Sequence, residues 1–247
     1  SVLASGAVVR QVLLSAGAEE SQIMAKLQPI ATDMHALGNP WISYSVYLNN
    51  SFLPGLLQLM ILLVTVFSIG SEMKRATSRE WLRTADDSII IAITGKLIPQ
   101  TIIFFSMGLL YLSLLYGYLH FPMHNSIWHM IFAMFLLVVA SQSFAVIIMC
   151  FAPSLRIGLS VGGLVGVLSL SIAGFSFPVP AMYLPFQAIS YVLPVRHYFL
   201  IYVDQALNGI PLYYSRVHYV ALILFAVAST PLLPRLKKAL MRQVYVP

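Results

Sequence analysis

His120, His124 and His129 are the residues whose type and spacing first suggest chemistry, because imidazoles one helical turn apart can share a face and bind a metal. Pro122 interrupts that spacing, and no carboxylate or thiolate stands close enough to complete a ligand set, so the three read as interfacial polar residues and no metal is expected. Gly95-Lys96-Leu97 is the nearest approach to a phosphate-binding loop. It lacks the upstream glycine and the following hydroxyl that hold a nucleotide, so ATP hydrolysis is not expected of this chain, nor is any other catalysis, since no Ser-His-Asp arrangement appears. The apolar runs contain no Asp or Glu, which weighs against an ion-coupled carrier, because such carriers bury ionisable groups at mid-membrane. A secondary transporter and a membrane-embedded metalloenzyme using the outer histidines stand as the alternatives.

The elements that must position these residues are membrane spans. Of the 247 residues, 59% are hydrophobic and 9% charged, where a soluble domain carries about 25% charge. Five apolar runs, at residues 52–70, 97–118, 127–151, 157–176 and 217–233, are long enough to cross a hydrocarbon core of about 30 Å. The net charge of +6 comes from basic residues placed beside these runs, without the basic face that nucleic acid requires. Cys150, the sole cysteine, lies within a run and reads as a small buried hydrophobe. In the fourth run Gly158, Gly162 and Gly166 recur at four-residue spacing, a face suited to close helix approach within one subunit, at a dimer seam or along a pathway.

Lysine and arginine counts orient the spans. Lys74, Arg75, Arg79, Arg83, Lys96, Arg156, Arg235, Lys237, Lys238 and Arg242 fall on one side and Arg10, Lys26, Arg196 and Arg216 on the other, so the tail is expected in the cytoplasm and residues 1–51 outside. Those 51 residues read as the end of an external domain, with helical spacing over Val2–Ser15, a candidate strand over Pro29–Leu37 and a turn at Gly38-Asn39-Pro40. An outside start calls for a further span upstream of Ser1. Prolines 178, 180, 185 and 194 oppose a straight span through residues 177–215, which reads as a re-entrant or interfacial helical hairpin on the outer side. The fold class is therefore an all-α polytopic membrane protein with a small α/β remnant at its N-terminus.

Residues 71–96 connect the first two runs. Glu72, Lys74, Arg75, Thr77, Arg79, Glu80, Trp81, Arg83 and Thr84 mix both charge signs with an aromatic, a composition equally suited to lying on the membrane surface and to docking on a soluble partner. This stretch, followed by Gly95, Lys96 and Pro99, resembles the ABC-2 family of exporter permeases that carry a large external domain between their first two spans. Glu72, Thr77, Glu80, Leu82, Thr84 and Ala85 fit the family pattern after the second span, and Gly95, Lys96 and Pro99 fit the motif at the start of the third, whereas Ala76 stands where glycine is usual. Further matches are Asn39-Pro40, Pro54-Gly55, Gly174-Phe175-Ser176-Phe177-Pro178, Gln187, Ser190, Leu193-Pro194 and Asn208-Gly209.

The resemblance implies a six-span permease of the bacterial inner membrane that pairs with a second permease subunit, identical or not, and with ATP-binding subunits that hold the ATP and Mg. It implies export, with room for a periplasmic adaptor. It assigns Glu72–Thr84 to contact with the ATP-binding subunit, and Gly158, Gly162 and Gly166 to the dimer or pathway face.

Overall fold

The computed structural model describes Gln11, Ser15 and residues 44–242, and the readings made above for the external remnant, its strand included, lie outside these. Gln11 and Ser15 are helical. From Tyr44 onward the described residues are helices joined by short turns. Five helical stretches are long and apolar enough to span a membrane: Ser45–Lys74, Ile89–Tyr118, Ile127–Phe151, Leu155–Ile172 and Leu212–Arg242. The helices are α1 (Tyr44–Lys74), α2 (Ser78–Thr84), α3 (Ile89–Leu112, continued as a π-helical turn over Ser113–Tyr118), α4 (Ile127–Phe151) and α5 (Leu155–Ile172). There follow α6 (Leu184–Tyr191), α7 (Pro194–Tyr202, continued as a π turn over Val203–Leu207), α8 (Leu212–Val227) and α9 (Leu233–Arg242).

The centre is α4. It is the most apolar span and the most buried, and it touches α1, α3, α5, α7, α8 and α9. Two apolar clusters form on it. Met130, Met134 and Leu137 gather Tyr198, Tyr202 and Leu222 at one end, whereas Val146 and Met149 gather Leu82, Ile89, Leu236 and Leu240 at the other, which carries most of the basic residues and is called the basic end below.

Lipid offers no partner to polar groups, so each buried polar side chain must find one inside the protein. Some, such as Asn50 and Ser141, bond to the backbone of their own helix, and others find partners on neighbouring helices. Thr65 of α1 meets Gln100 of α3 at 3.3 Å, Thr101 of α3 meets Gln142 of α4 at 2.7 Å, and Ser143 of α4 meets Ser229, beyond α8, at 3.0 Å. Gln58 of α1 joins three elements, donating to Ser169 of α5 at 3.0 Å and accepting the backbone N–H of Val195, in the first turn of α7, at 2.8 Å. Replacing Gln58 by leucine strands that buried N–H, and a loss of about 1–3 kcal/mol is expected in denaturant unfolding from micelles. Ser169→Ala removes one interhelical bond, expected to cost about 0.6 kcal/mol. Equal losses for the two would mean that Gln58 does not hold α7.

Pro54 lies inside α1 and cannot donate to the carbonyl one turn earlier. Tyrosines from other helices cover the polar groups of that turn. Tyr111 donates to the Asn49 carbonyl at 3.2 Å, Tyr116 to Asn50 Oδ1 at 3.0 Å, and Tyr202 to the Val46 carbonyl at 3.4 Å.

The glycine face of α5 packs inside the chain. A Cβ on Gly158 would meet Met149 Sδ at 2.8 Å and Val66 Cγ1 at 2.9 Å, and one on Gly166 would meet Leu59 Cδ1 at 2.3 Å and its Cα at 3.2 Å. Within the chain Gly158, Gly162 and Gly166 are all buried, facing α1 and, at Gly158, also Met149 of α4.

The helix limits refine the hydropathy reading. Ser88 caps α3, so the helix begins at Ile89, and Gly95 and Lys96 lie two turns inside it. The last run ends in a 3-10 turn at Thr230–Leu232, and the basic tail beyond it forms an amphipathic helix, α9. The proline-rich segment forms α6 and α7, of 8 and 9 residues, whose lengths of about 12–14 Å are too short to cross.

Candidate functional site

The basic end contains the residues singled out between the first two runs. Helix α1 ends in a Schellman turn, in which Thr77 N–H donates to the Glu72 carbonyl at 3.0 Å and Ala76 N–H to the Met73 carbonyl at 3.3 Å. This turn puts Ala76 at φ +59°, in the left-handed region that favours glycine. The glycine usual at this point in the resembling family thus has a physical reason, and alanine bears the strain. Ala76→Gly is expected to stabilise the chain by about 0.5–1 kcal/mol, read from the unfolding midpoint in micelles, and a destabilised variant would contradict the strain.

Reversal of the chain at Ala76 turns Thr77 back onto Glu72. The Thr77 hydroxyl donates to one carboxylate oxygen, and Lys96 Nζ lies 2.5 Å from the other. Lys96 also donates to the Ser68 carbonyl at 2.8 Å and sits 4.3 Å from the centre of the Trp81 ring. Glu72 therefore ties the end of α1 to α3 and to the turn that launches α2. Charge-assisted bonds of this kind are about twice as strong as neutral ones, and the lysine–indole contact adds about 0.5–1 kcal/mol.

Helix α2 is anchored by Leu82, which is fully buried, and ends in a second Schellman turn through Asp86 and Asp87, at φ +50° and +54°. Helix α9 braces it: Arg79 donates to the Met241 carbonyl at 3.2 Å and Lys237 to the Asp87 carbonyl at 2.6 Å. With these groups committed, Lys74, Arg75, Glu80, Arg83 and Thr84 remain exposed. The Thr84 hydroxyl bonds back to the Glu80 and Trp81 carbonyls of its own helix.

The structure thus brings together Glu72, Thr77, Trp81 and Lys96 and leaves Gly95 and Pro99 outside the cluster. Both are exposed on α3, with open space beside Gly95. Pro99 withholds the N–H that would bond the Gly95 carbonyl four residues earlier.

A family model described as ABC-2 family transporter protein matches residues 2–233. The chain belongs to the ABC-2 transporter family. No curated protein and no solved structure matches it. As an ABC-2 permease the chain is the multi-pass transport subunit of an ABC transporter, and ATP binding in such a transporter belongs to a partner subunit.

His120, His124 and His129 of this permease go to separate places. His120 Nδ1 lies 2.9 Å from the Tyr118 carbonyl, His124 Nδ1 lies 2.9 Å from the Ala206 carbonyl, and His129 Nδ1 is buried without a partner. Among the described residues no group of three histidine, cysteine or acidic side chains is placed to hold a metal.

The sequence places Arg196 among the charges outside the spans, whereas the structure buries it in a second polar region of the permease, around α7. Arg196 is buried, donates to the Ala173 carbonyl at 3.1 Å, stacks 4.8 Å from the Tyr191 ring, and has no ion-pair partner among the described residues. Burial lowers its pKa from the ordinary arginine value. Gly174, at φ +99°, makes room for it, since a Cβ there would lie 2.9 Å from Arg196 Nη1. The available signal was Gly174 itself, a glycine ending a span, but nothing in the sequence joins it to an arginine 22 residues later.

Proposed function

We propose that this ABC-2 permease is the membrane half of an exporter. Two permease subunits, identical or different, work with two ATP-binding subunits that carry ATP and Mg, and substrate moves out of the cytoplasm. In this reading the chain sits in a bacterial inner membrane with α2 and α9 in the cytoplasm, and α2 receives the ATP-binding subunit.

The carrying observation is the exposed charged face of α2, with Glu80 and Arg83 outward, on a helix held rigidly from behind by Leu82, Arg79 and the Glu72–Lys96–Trp81 cluster. A docking helix must transmit displacement. One fastened to the ends of α1 and α3 does so, because movement of α2 pulls on Glu72 and Lys96 together. ATP binding then shifts the spans only if the contacts on α2 differ between the two arrangements of the ATP-binding pair.

The test is site-directed crosslinking in membranes containing the whole complex, with single cysteines at Arg75, Glu80 and Arg83. The native Cys150 is buried and stays silent. A crosslink from Glu80→Cys or Arg83→Cys to the ATP-binding subunit, changing in yield with nucleotide, is expected. Crosslinks absent at all three positions would overturn the docking role.

A further inference from the structure

We propose that the permease holds an anionic phospholipid, by its phosphodiester headgroup, in a basic cavity beside α9. The cavity measures about 420 Å³. Arg235, Lys238 and Arg242 line one side, at spacings of three and four that place them along one face of α9, away from the Leu233, Leu236 and Leu240 stripe that packs into the core. Met73, Phe151 and Pro153 form the other side. Among the described residues no acidic side chain lines the cavity, and the single ion pair, Lys96–Glu72, lies outside it.

Two neighbouring basic residues are engaged elsewhere: Lys237 donates to the Asp87 carbonyl and Arg79 to the Met241 carbonyl. Arg235 stacks 4.7 Å from the Phe151 ring, leaving its donors free for a ligand in the cavity. Three cations converging on one space without a carboxylate repel one another unless an anion enters.

The depth of the cavity selects the anion. Phe151 ends α4, and Met73 is the second-last residue of α1, so the space opens where apolar spans give way to water. That is headgroup depth, and basic pockets between helices at this level take phosphate headgroups. The exposed Phe151 ring and Met73 supply an apolar wall for glycerol and the first methylenes of the acyl chains. A soluble anion would satisfy the cations and leave that wall unused.

The test is native mass spectrometry of the full chain titrated with phosphatidylglycerol, or with phosphatidylcholine of the same acyl chains. We expect phosphatidylglycerol to be retained about a hundredfold more tightly, and the R235Q/K238Q/R242Q variant to bring the two lipids close to parity, at about fivefold for each charge. K238Q alone gives a fivefold loss should the triple variant fail to fold. Ala239→Phe, which narrows the cavity and keeps every charge, is expected to weaken phosphatidylglycerol at least tenfold. Removal of three charges elsewhere at the same end, K74Q/R75Q/R83Q, should leave the preference intact. A loss in that control equal to the loss in the cavity variant, or no loss in Ala239→Phe, would overturn the site. Displacement of the lipid by millimolar inorganic phosphate would overturn the lipid assignment.

Discussion

Replacing Glu72 by alanine lowers substrate-stimulated ATP hydrolysis of the assembled complex by about tenfold while the chain still inserts and accumulates in the membrane. The carboxylate holds both Lys96 and the Thr77 hydroxyl, and it is mostly covered. Loss of hydrogen bonds to a charged group costs about 1.5–3 kcal/mol, and about 1.4 kcal/mol corresponds to a tenfold change in rate. Insertion is spared because the apolar spans drive it, and Glu72 lies at the last turn of one of them. The exchanged pair Glu72→Lys with Lys96→Glu is expected to recover part of the coupling, since the ion pair can re-form in reverse. It cannot recover all of it, because the Lys96 contacts with the Ser68 carbonyl and the Trp81 ring need a cation on α3. Full stimulation in Glu72→Ala would show that α2 transmits nothing through the end of α1.

The largest effect on folding is expected at Gly166. A leucine there drives a side chain into Leu59, whose Cα would lie 3.2 Å from the new Cβ, and backbone cannot withdraw as a flexible side chain can. The cost is at least about 3 kcal/mol, read as loss of monodisperse protein after extraction. Gly162→Ala is the contrasting variant on the same helix face. Its Cβ would find only Val66 Cγ2, at 3.7 Å, so stability within about 1 kcal/mol of the parent is expected. Should Gly162→Ala fail as badly as Gly166→Leu, a neighbour outside the chain must press on α5 there.

The two variants also mark where sequence reading stopped. Four-residue glycine spacing announces a close helix approach, but it names no partner. The partner is α1, and the clamp that fixes it, Gln58 to Ser169, joins residues 111 positions apart. Apolar runs were legible because lipid demands about 20 uninterrupted residues. Their ends were less so, because Lys96 looks like a boundary when it is a side chain reaching sideways to Glu72. The helix start at Ser88 had a local signal, a capping serine before three isoleucines. Leu233, Leu236 and Leu240 likewise announce an amphipathic helix, in residues that read by charge alone as a basic tail. Of the site, the chemistry of residues 72–84 was legible, since charges and a tryptophan between apolar runs have few uses. Its geometry was not: nothing local tells that Arg79 bonds to Met241, 162 positions on.

The bracing of α2 by α9 has a consequence for biogenesis. Leu82 is sealed into a core that includes Leu233, Leu236 and Leu240, and those residues, at the end of the last span, leave the ribosome after the first four spans and after α8. Until then α2 lacks half of its supporting wall, although the helices around it can already be inserted. If α2 docks the ATP-binding subunit as proposed, a nascent or prematurely terminated chain occupies the membrane without offering it a finished platform. Synthesis of the last amphipathic helix becomes the step that commits a permease to assembly.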